Sequence, residues 1–191
     1  MIAAMDRASI NDHQIAEYHE KGYLIIRNVL TPEEVKKYRE TVRDEVIRGA
    51  YPPSLIYPAP GKYTISGNML AESELAPLVE HPVVIDAVER LLDQPAHLTA
   101  FVAYLRTPSD KGSGAHCDYK RWRPVGSSMN WLFAIIPLTN FDDEFGPFLV
   151  SPGSHRLTQA VDEDAHVIDM TKPDARQLAP FIDPDLKAGD L

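Results

Sequence analysis

The chain reads as an α+β fold in which helices come first and short strands follow, the strands closing most simply into a barrel or jelly roll. Three observations predict this. Two helix starts are written out early, around Asn11 and Thr31. After Pro95 the texture turns β-rich. Sixteen prolines and ten glycines, clustered from Tyr51 to Gly67 and from Pro108 to Gly153, supply the turns that many short strands require.

Each element has a local reason. Asn11 caps a first helix, with Gln14 as the capping-box partner, Ile10 and Ile15 at the staple positions and Gly22 as the stop. Tyr23 to Val29 is an apolar run between turn signals and is expected to be a buried strand. Thr31-Pro-Glu-Glu34 opens a second helix whose Val35, Tyr38, Val42 and Val46 share a face, and Gly49 ends it. Glu33 and Glu34 serve the positive end of that helix. Tyr51 to Gly67 reads as a long loop, either over a pocket mouth or wrapped on the surface. Ser73 to Asp93 reads as two helical pieces broken near His81-Pro82, with His81 a cap or linker and the second piece, Val83 to Leu92, well buried. His97 to Arg106 is β-rich, Thr107 to Gly114 is a loop, and Ser128 to Leu138 is the strongest strand pattern in the chain. Asn140 to Gly146 is an acidic turn, Pro147 to Ser151 a short strand, and Pro152-Gly-Ser-His155 a tight turn. Thr158 to Asp185 is polar and shows no clear period, and Asp185 to Leu191 is a turn leading toward a strand.

Composition bounds the function. The 191 residues suffice for one domain with a substantial core, and 44% hydrophobic with 25% charged residues is ordinary for a globular protein. A net charge of −9 argues against nonspecific nucleic-acid binding, which depends on basic surface. No run is long enough to span a membrane, and Met1 to Ile10 lacks the apolar run of a signal peptide. The single cysteine, Cys117, excludes an intrachain disulfide and a CxxC zinc site and suits a reducing, cytoplasmic setting. No oligomeric state has a signature in the sequence.

Chemistry concentrates at Gly114-Ala-His-Cys-Asp118. On an extended strand His116 and Asp118 share a face, while Cys117 points to the other side and reads as packing. A neutral imidazole and a carboxylate are two of the three ligands in the 2-His-1-carboxylate set that binds Fe(II) and leaves positions open for a bidentate co-substrate and dioxygen. Alone, an HxD pair in a chain with seven histidines is also met by a loop histidine paired with its neighbouring acid.

The surroundings add specificity. From His116 onward the chain carries, in order, HxD (His116 and Asp118), an apolar strand (Trp131 to Leu138), an acidic turn ending in Gly-Pro (Asp142 to Pro147), a short strand (Phe148 to Ser151) and Pro152 to His155. With Tyr18 to Leu30 and Thr31 to Val35 at the other end, this series resembles the phytanoyl-CoA dioxygenase family of Fe(II)- and 2-oxoglutarate-dependent oxygenases, from about Ile15 to Leu191. The resemblance implies a double-stranded β-helix (jelly roll, cupin-like) with N-terminal flanking helices, in one dioxygenase domain over residues 1–191. It implies Fe(II) held by His116 and Asp118, 2-oxoglutarate as co-substrate decarboxylated to succinate and CO2, and hydroxylation of a small molecule. Because the carboxylate ligand Asp118 is present, the resemblance favours hydroxylation over halogenation and leaves desaturation and ring chemistry open. Trp131, Phe133 and Ile135 share strand parity, and Phe133 and Ile135 are candidates to pack against 2-oxoglutarate, core filling being the simpler alternative. His155 is expected to pack a turn rather than bind iron. Lys120-Arg-Trp-Arg123 would either meet an anionic substrate group or pair with nearby acids.

The family's third ligand, a histidine, and an arginine for the far carboxylate of 2-oxoglutarate follow a turn that Lys187-Ala-Gly-Asp-Leu191 matches. Both are expected after Leu191, together with the closing strands. The expectation is a piece of a longer gene product or an incomplete sequence, and a protein ending at Leu191 should be metal-poor, unstable or inactive. Two other readings fit the same residues: a non-catalytic β-helix binding module, and a cupin-like metal enzyme that does not use 2-oxoglutarate.

Overall fold

Capping chemistry sets the helices where the sequence predicts them. The computed structural model describes residues 10–48, 56–59, 61–66, 73–108, 110–114, 130–142, 145–159 and 179–191. Helix α1 spans Asp12–Lys21. The Asn11 side chain accepts from the Gln14 N–H at 3.0 Å, the Gln14 side chain accepts from the Asn11 N–H at 3.0 Å, and Gly22 closes the helix at φ 82°. Helix α2, Pro32–Arg48, starts with the same device: the Thr31 N–H donates to Glu34 Oε2 at 2.7 Å, and the Glu34 N–H donates to Thr31 Oγ1 at 3.2 Å. Glu34 therefore works as a cap. Val35, Tyr38 and Val42 form the buried stripe of α2, while the Val46 side chain and Gly49 lie outside what is described.

Residues Tyr51 to Gly67 hold more than a loop. Strands β1 (Ile56–Ala59) and β2 (Lys62–Ser66) form a hairpin that turns at Gly61, φ 75°. Prolines conceal it: Pro58 lies within edge strand β1, where a missing N–H can be tolerated. Helices α3 (Ala76–Val79) and α4 (Pro82–Leu92) break at His81, whose Nδ1 accepts from the Val83 N–H at 3.3 Å. Helix α4 is amphipathic rather than buried all round: Val84 and Ala87 are buried, and Ile85 is exposed. Strand β3 (Val102–Arg106) completes an antiparallel sheet in the order β1-β2-β3, so the β-rich run from His97 pairs only over its second half.

The core lies between α2 and one face of this sheet. Leu30, Val35, Tyr38, Val42, Ile65, Leu75 and Leu78 are buried together, and Phe101, Ala103, Leu105, Ile136, Leu138 and Ala188 pack against them. The register opposes Ile65 to Ala103 and Tyr63 to Leu105, so alternate residues of β2 and β3 face this cluster.

Three expected strands have no ladder among the described residues. Tyr23 to Val29 pairs at one point, where Ile26 and Leu191 exchange both backbone hydrogen bonds, at 2.8 and 2.9 Å. Pro147 to Ser151 makes one bridge, Val150 to Ile182. Within Ser128 to Leu138, residues 130–138 form no ladder; the Pro137 carbonyl accepts instead from the Gly189 N–H at 2.9 Å. The described residues thus establish α+β with one three-stranded sheet; the second sheet of a jelly roll is not among them.

The segment Leu186 to Leu191 joins these parts. The Gly189 carbonyl accepts from the Leu30 N–H at 2.9 Å, and the Phe141 N–H donates to the Leu186 carbonyl at 3.3 Å. Asp190 is only 2% exposed. Its carboxylate accepts from Arg27 Nη1 at 2.6 Å, the Asn28 N–H at 3.0 Å and the Lys187 N–H at 3.0 Å. Asn28 adopts φ 55°, a left-handed conformation that asparagine tolerates, and so presents its N–H to Asp190. Beside it, the Lys187 ammonium hydrogen-bonded to Asp185 holds that carboxyl below its usual range. Replacing Asp190 with Ala strands two backbone N–H groups and the Arg27 guanidinium, and should cost about 3 kcal/mol. A urea unfolding midpoint equal to that of the unsubstituted protein would contradict this.

Candidate functional site

His116, Cys117 and Asp118 lie outside the described residues, as do Lys120 to Arg123. Among the described residues no group of three or more His, Cys, Asp or Glu side chains gathers in a way that could hold a metal ion. The nearest described residues in the sequence are Gly114 before the pair and Asn130 after it.

On the entry side, β3 ends at Arg106 and the predicted loop follows. The Thr107 N–H donates to the Gly61 carbonyl at 2.7 Å, which ties the loop to the hairpin turn. Asp110, its side chain only 11% exposed, accepts from Arg106 Nη1 at 2.8 Å and from the Gly112 N–H at 3.1 Å. Arg106 Nη2 also donates to Ser113 Oγ at 3.4 Å. This folded loop carries the chain to Gly114, two residues before His116.

On the exit side, Asn130 Nδ2 donates to the Leu92 carbonyl at 2.8 Å, and Trp131 Nε1 donates to Thr99 Oγ1 at 3.4 Å. The Trp131 and Phe133 rings meet edge-to-face, centroids 4.6 Å apart. Ile136 and Leu138 pack on the core. Alternation in an extended segment puts Phe133 and Ile135 on the other side, where Phe133 is 45% exposed and Ile135 half-buried. Of the four residues singled out from the sequence, the structure therefore brings Phe133 and Ile135 to one side of one segment.

The Pro-Gly-Ser-His turn has a different job. The Gly153 N–H donates to the Lys21 carbonyl at 2.8 Å, His155 Nε2 lies 3.1 Å from the His19 carbonyl, and Arg156 Nη2 donates to the Glu20 carbonyl at 2.9 Å. These contacts satisfy carbonyls that the end of α1 leaves without helical partners. The His155 ring lies directly over Gly22, where a Cβ would overlap it. Sequence reasoning places His155 in a packed turn but does not find its partner. It also misses the pairing of Arg106 with Asp110, whose only signal is a cation and an acid four residues apart at the end of the β-rich run.

Comparison with solved structures shows the fold class. The crystal structure of the epimerase SnoN in complex with Fe3+, alpha ketoglutarate and nogalamycin RO matches 94% of this chain and 71% of its own chain with a TM-score of 0.66, at 20% identity, so the likeness is one of fold. The phytanoyl-CoA dioxygenase (PhyH) family pattern matches residues 18–191, and the chain belongs to that family, whose members are Fe(II)- and 2-oxoglutarate-dependent oxygenases. Among curated proteins it is similar to the ectoine dioxygenases of Bordetella bronchiseptica and Bordetella parapertussis, each 24% identical over 160 residues, covering 78% of this chain. The chain spans about half the length of these curated relatives. Among the described residues no helix is long and apolar enough to cross a membrane.

Gly22→Ala should destabilise the protein by about 2 kcal/mol, because a left-handed backbone and a steric overlap coincide there. Adding His155→Ala should recover part of that loss by removing the overlap and leaving only the backbone strain. Strictly additive effects in a thermal-unfolding double-mutant cycle would contradict the packing of His155 on Gly22.

Proposed function

We propose that the protein is an Fe(II)- and 2-oxoglutarate-dependent dioxygenase that hydroxylates a small molecule. The observation that carries this is family membership over residues 18–191 with both HxD ligand types in place, His116 and Asp118. The donor set fits the ion: an imidazole nitrogen and a carboxylate oxygen suit Fe(II), and few protein ligands leave room for a chelating co-substrate. We read the complete fold as a double-stranded β-helix, supported by the likeness to a solved structure that holds iron and α-ketoglutarate.

His116 and Asp118 would hold the iron. A metal held there with 2-oxoglutarate would supply the oxidising chemistry that couples decarboxylation of the co-substrate to hydroxylation of the substrate, one atom of dioxygen ending in succinate, released with CO2, and the other in the product hydroxyl. The chain's own residues do the rest. Asp118 occupies the position that halogenating relatives keep small, which favours hydroxylation. Phe133 and Ile135, on the side of their segment away from the core, would pack against the co-substrate and exclude water. A third ligand histidine and an arginine for 2-oxoglutarate belong to this proposal as residues following the Lys187–Leu191 turn. A cytoplasmic setting suits the lone thiol, Cys117.

Asp118→Ala should abolish iron retention and succinate formation, a loss of at least about a hundredfold, as removal of an essential metal-site group does. Coupled turnover that survives the substitution would exclude the assignment.

A further inference from the structure

The route from the sheet to the HxD pair is short, and one side chain organises it. Strand β3 ends at Arg106, and the loop that follows brings the chain to Gly114, two positions before His116. A loop that holds Gly112 and Gly114 has wide backbone freedom unless something fixes it. Asp110 does so by dividing its two carboxylate oxygens. Oδ2 accepts from Arg106 Nη1 at 2.8 Å, on the strand, and Oδ1 accepts from the Gly112 N–H at 3.1 Å, in the loop. The Asp110 N–H donates to the Thr107 carbonyl at 2.9 Å. Thr107 is in turn fastened to the hairpin: its N–H and its Oγ1 both donate to the Gly61 carbonyl, at 2.7 and 3.2 Å. Gly112 sits at φ 77° with open space where a Cβ would be, so glycine is favoured there by backbone conformation and not by crowding. The Asp110 side chain is only 11% exposed, and at that depth an oxygen without a partner would lose its hydration uncompensated.

We propose that Asp110 is a positioning residue of the iron site: by joining the end of β3 to the loop, it fixes where the segment bearing His116 and Asp118 begins. In this role it acts through the loop and needs no contact with the metal. Site residues work only when they are held within about 0.5 Å of the productive geometry. A ligand pair that starts two residues past a glycine-bearing loop inherits whatever freedom that loop keeps. Arg106 is the strand-side anchor of the link, and the Gly112 N–H is its loop-side anchor. The proposal rests on the oxygenase reading for the metal; the link itself rests on the hydrogen bonds of residues 106–112.

Anaerobic titration with Fe(II) alone tests it. Asp110→Ala removes both acceptors and should weaken Fe(II) binding about tenfold, the lower end of what partners outside the ligand set contribute to metal affinity. Asp110→Asn keeps a carbonyl oxygen for Gly112 but turns an amide N–H toward the guanidinium. It breaks only the strand-side half of the link and should cost about threefold, and it carries the test if Asp110→Ala does not fold. Gly22→Ala, which destabilises the protein at the end of α1, should leave Fe(II) affinity within about twofold, because lost stability alone does not move a positioned ligand. In the metal-free protein, Asp110→Ala should speed amide exchange at Gly112 and leave the β2-β3 ladder as it was. Unchanged Fe(II) affinity in either Asp110 variant, or an equal loss in Gly22→Ala, overturns the positioning role. Unchanged exchange at Gly112 overturns the link. If the unsubstituted protein binds no Fe(II), the oxygenase reading falls and the positioning role with it; if it binds Fe(II) and the Asp110 variants bind it equally, only the positioning role falls.

Discussion

The Asp190 carboxylate is the constraint on which the rest of the fold leans. It is nearly inaccessible to water, and a buried charge is tolerated only when it is paired and hydrogen-bonded. Here a guanidinium and two backbone N–H groups meet it. Arg27 is half open to solvent, so solvent screens part of the ion pair, and the backbone donors carry much of the compensation. The same turn brings Gly189 against the Leu30 carbonyl and Val35, at φ 86°, with no room for a Cβ. A single short segment thereby closes the gap between the start of α2 and residues 137–141, and both flank the core.

A second clasp works at the opposite end of the same N-terminal stretch. The turn around Gly153 to Arg156 grips the last carbonyls of α1, and His155 covers Gly22. Between them the two clasps hold residues 19–30 at both ends. Both also hold chain that follows the HxD pair: residues 153–156 in one case and 186–191 in the other. This framework is therefore built largely from contacts distant in sequence, in which loop-closure entropy must be overcome before any contact stabilises.

This explains what could be read from the sequence and what could not. The capping boxes of Asn11 with Gln14 and Thr31 with Glu34, and the His81 break, were legible because each partner lies within three residues. The β1-β2 hairpin was hidden by its prolines and by a pairing pattern that becomes clear only beside β3. Residues 130–138 carry a strong strand pattern, yet a pattern specifies which side is apolar, not which neighbour completes a ladder. The Lys187 to Asp190 turn was visible, while its partner Arg27, 163 residues away, was not. His116 and Asp118 were legible as chemistry because an imidazole and a carboxylate two apart have few joint uses, and the ordered series around them made the family recognisable.

Function then turns on whether that pair holds iron next to 2-oxoglutarate. The most direct measurement is anaerobic addition of 2-oxoglutarate to the Fe(II)-loaded protein, followed by visible absorption. Chelation of the metal by the keto acid should produce a metal-to-ligand charge-transfer band that Asp118→Ala does not show. Bound iron with no such band at saturating 2-oxoglutarate would contradict the assignment.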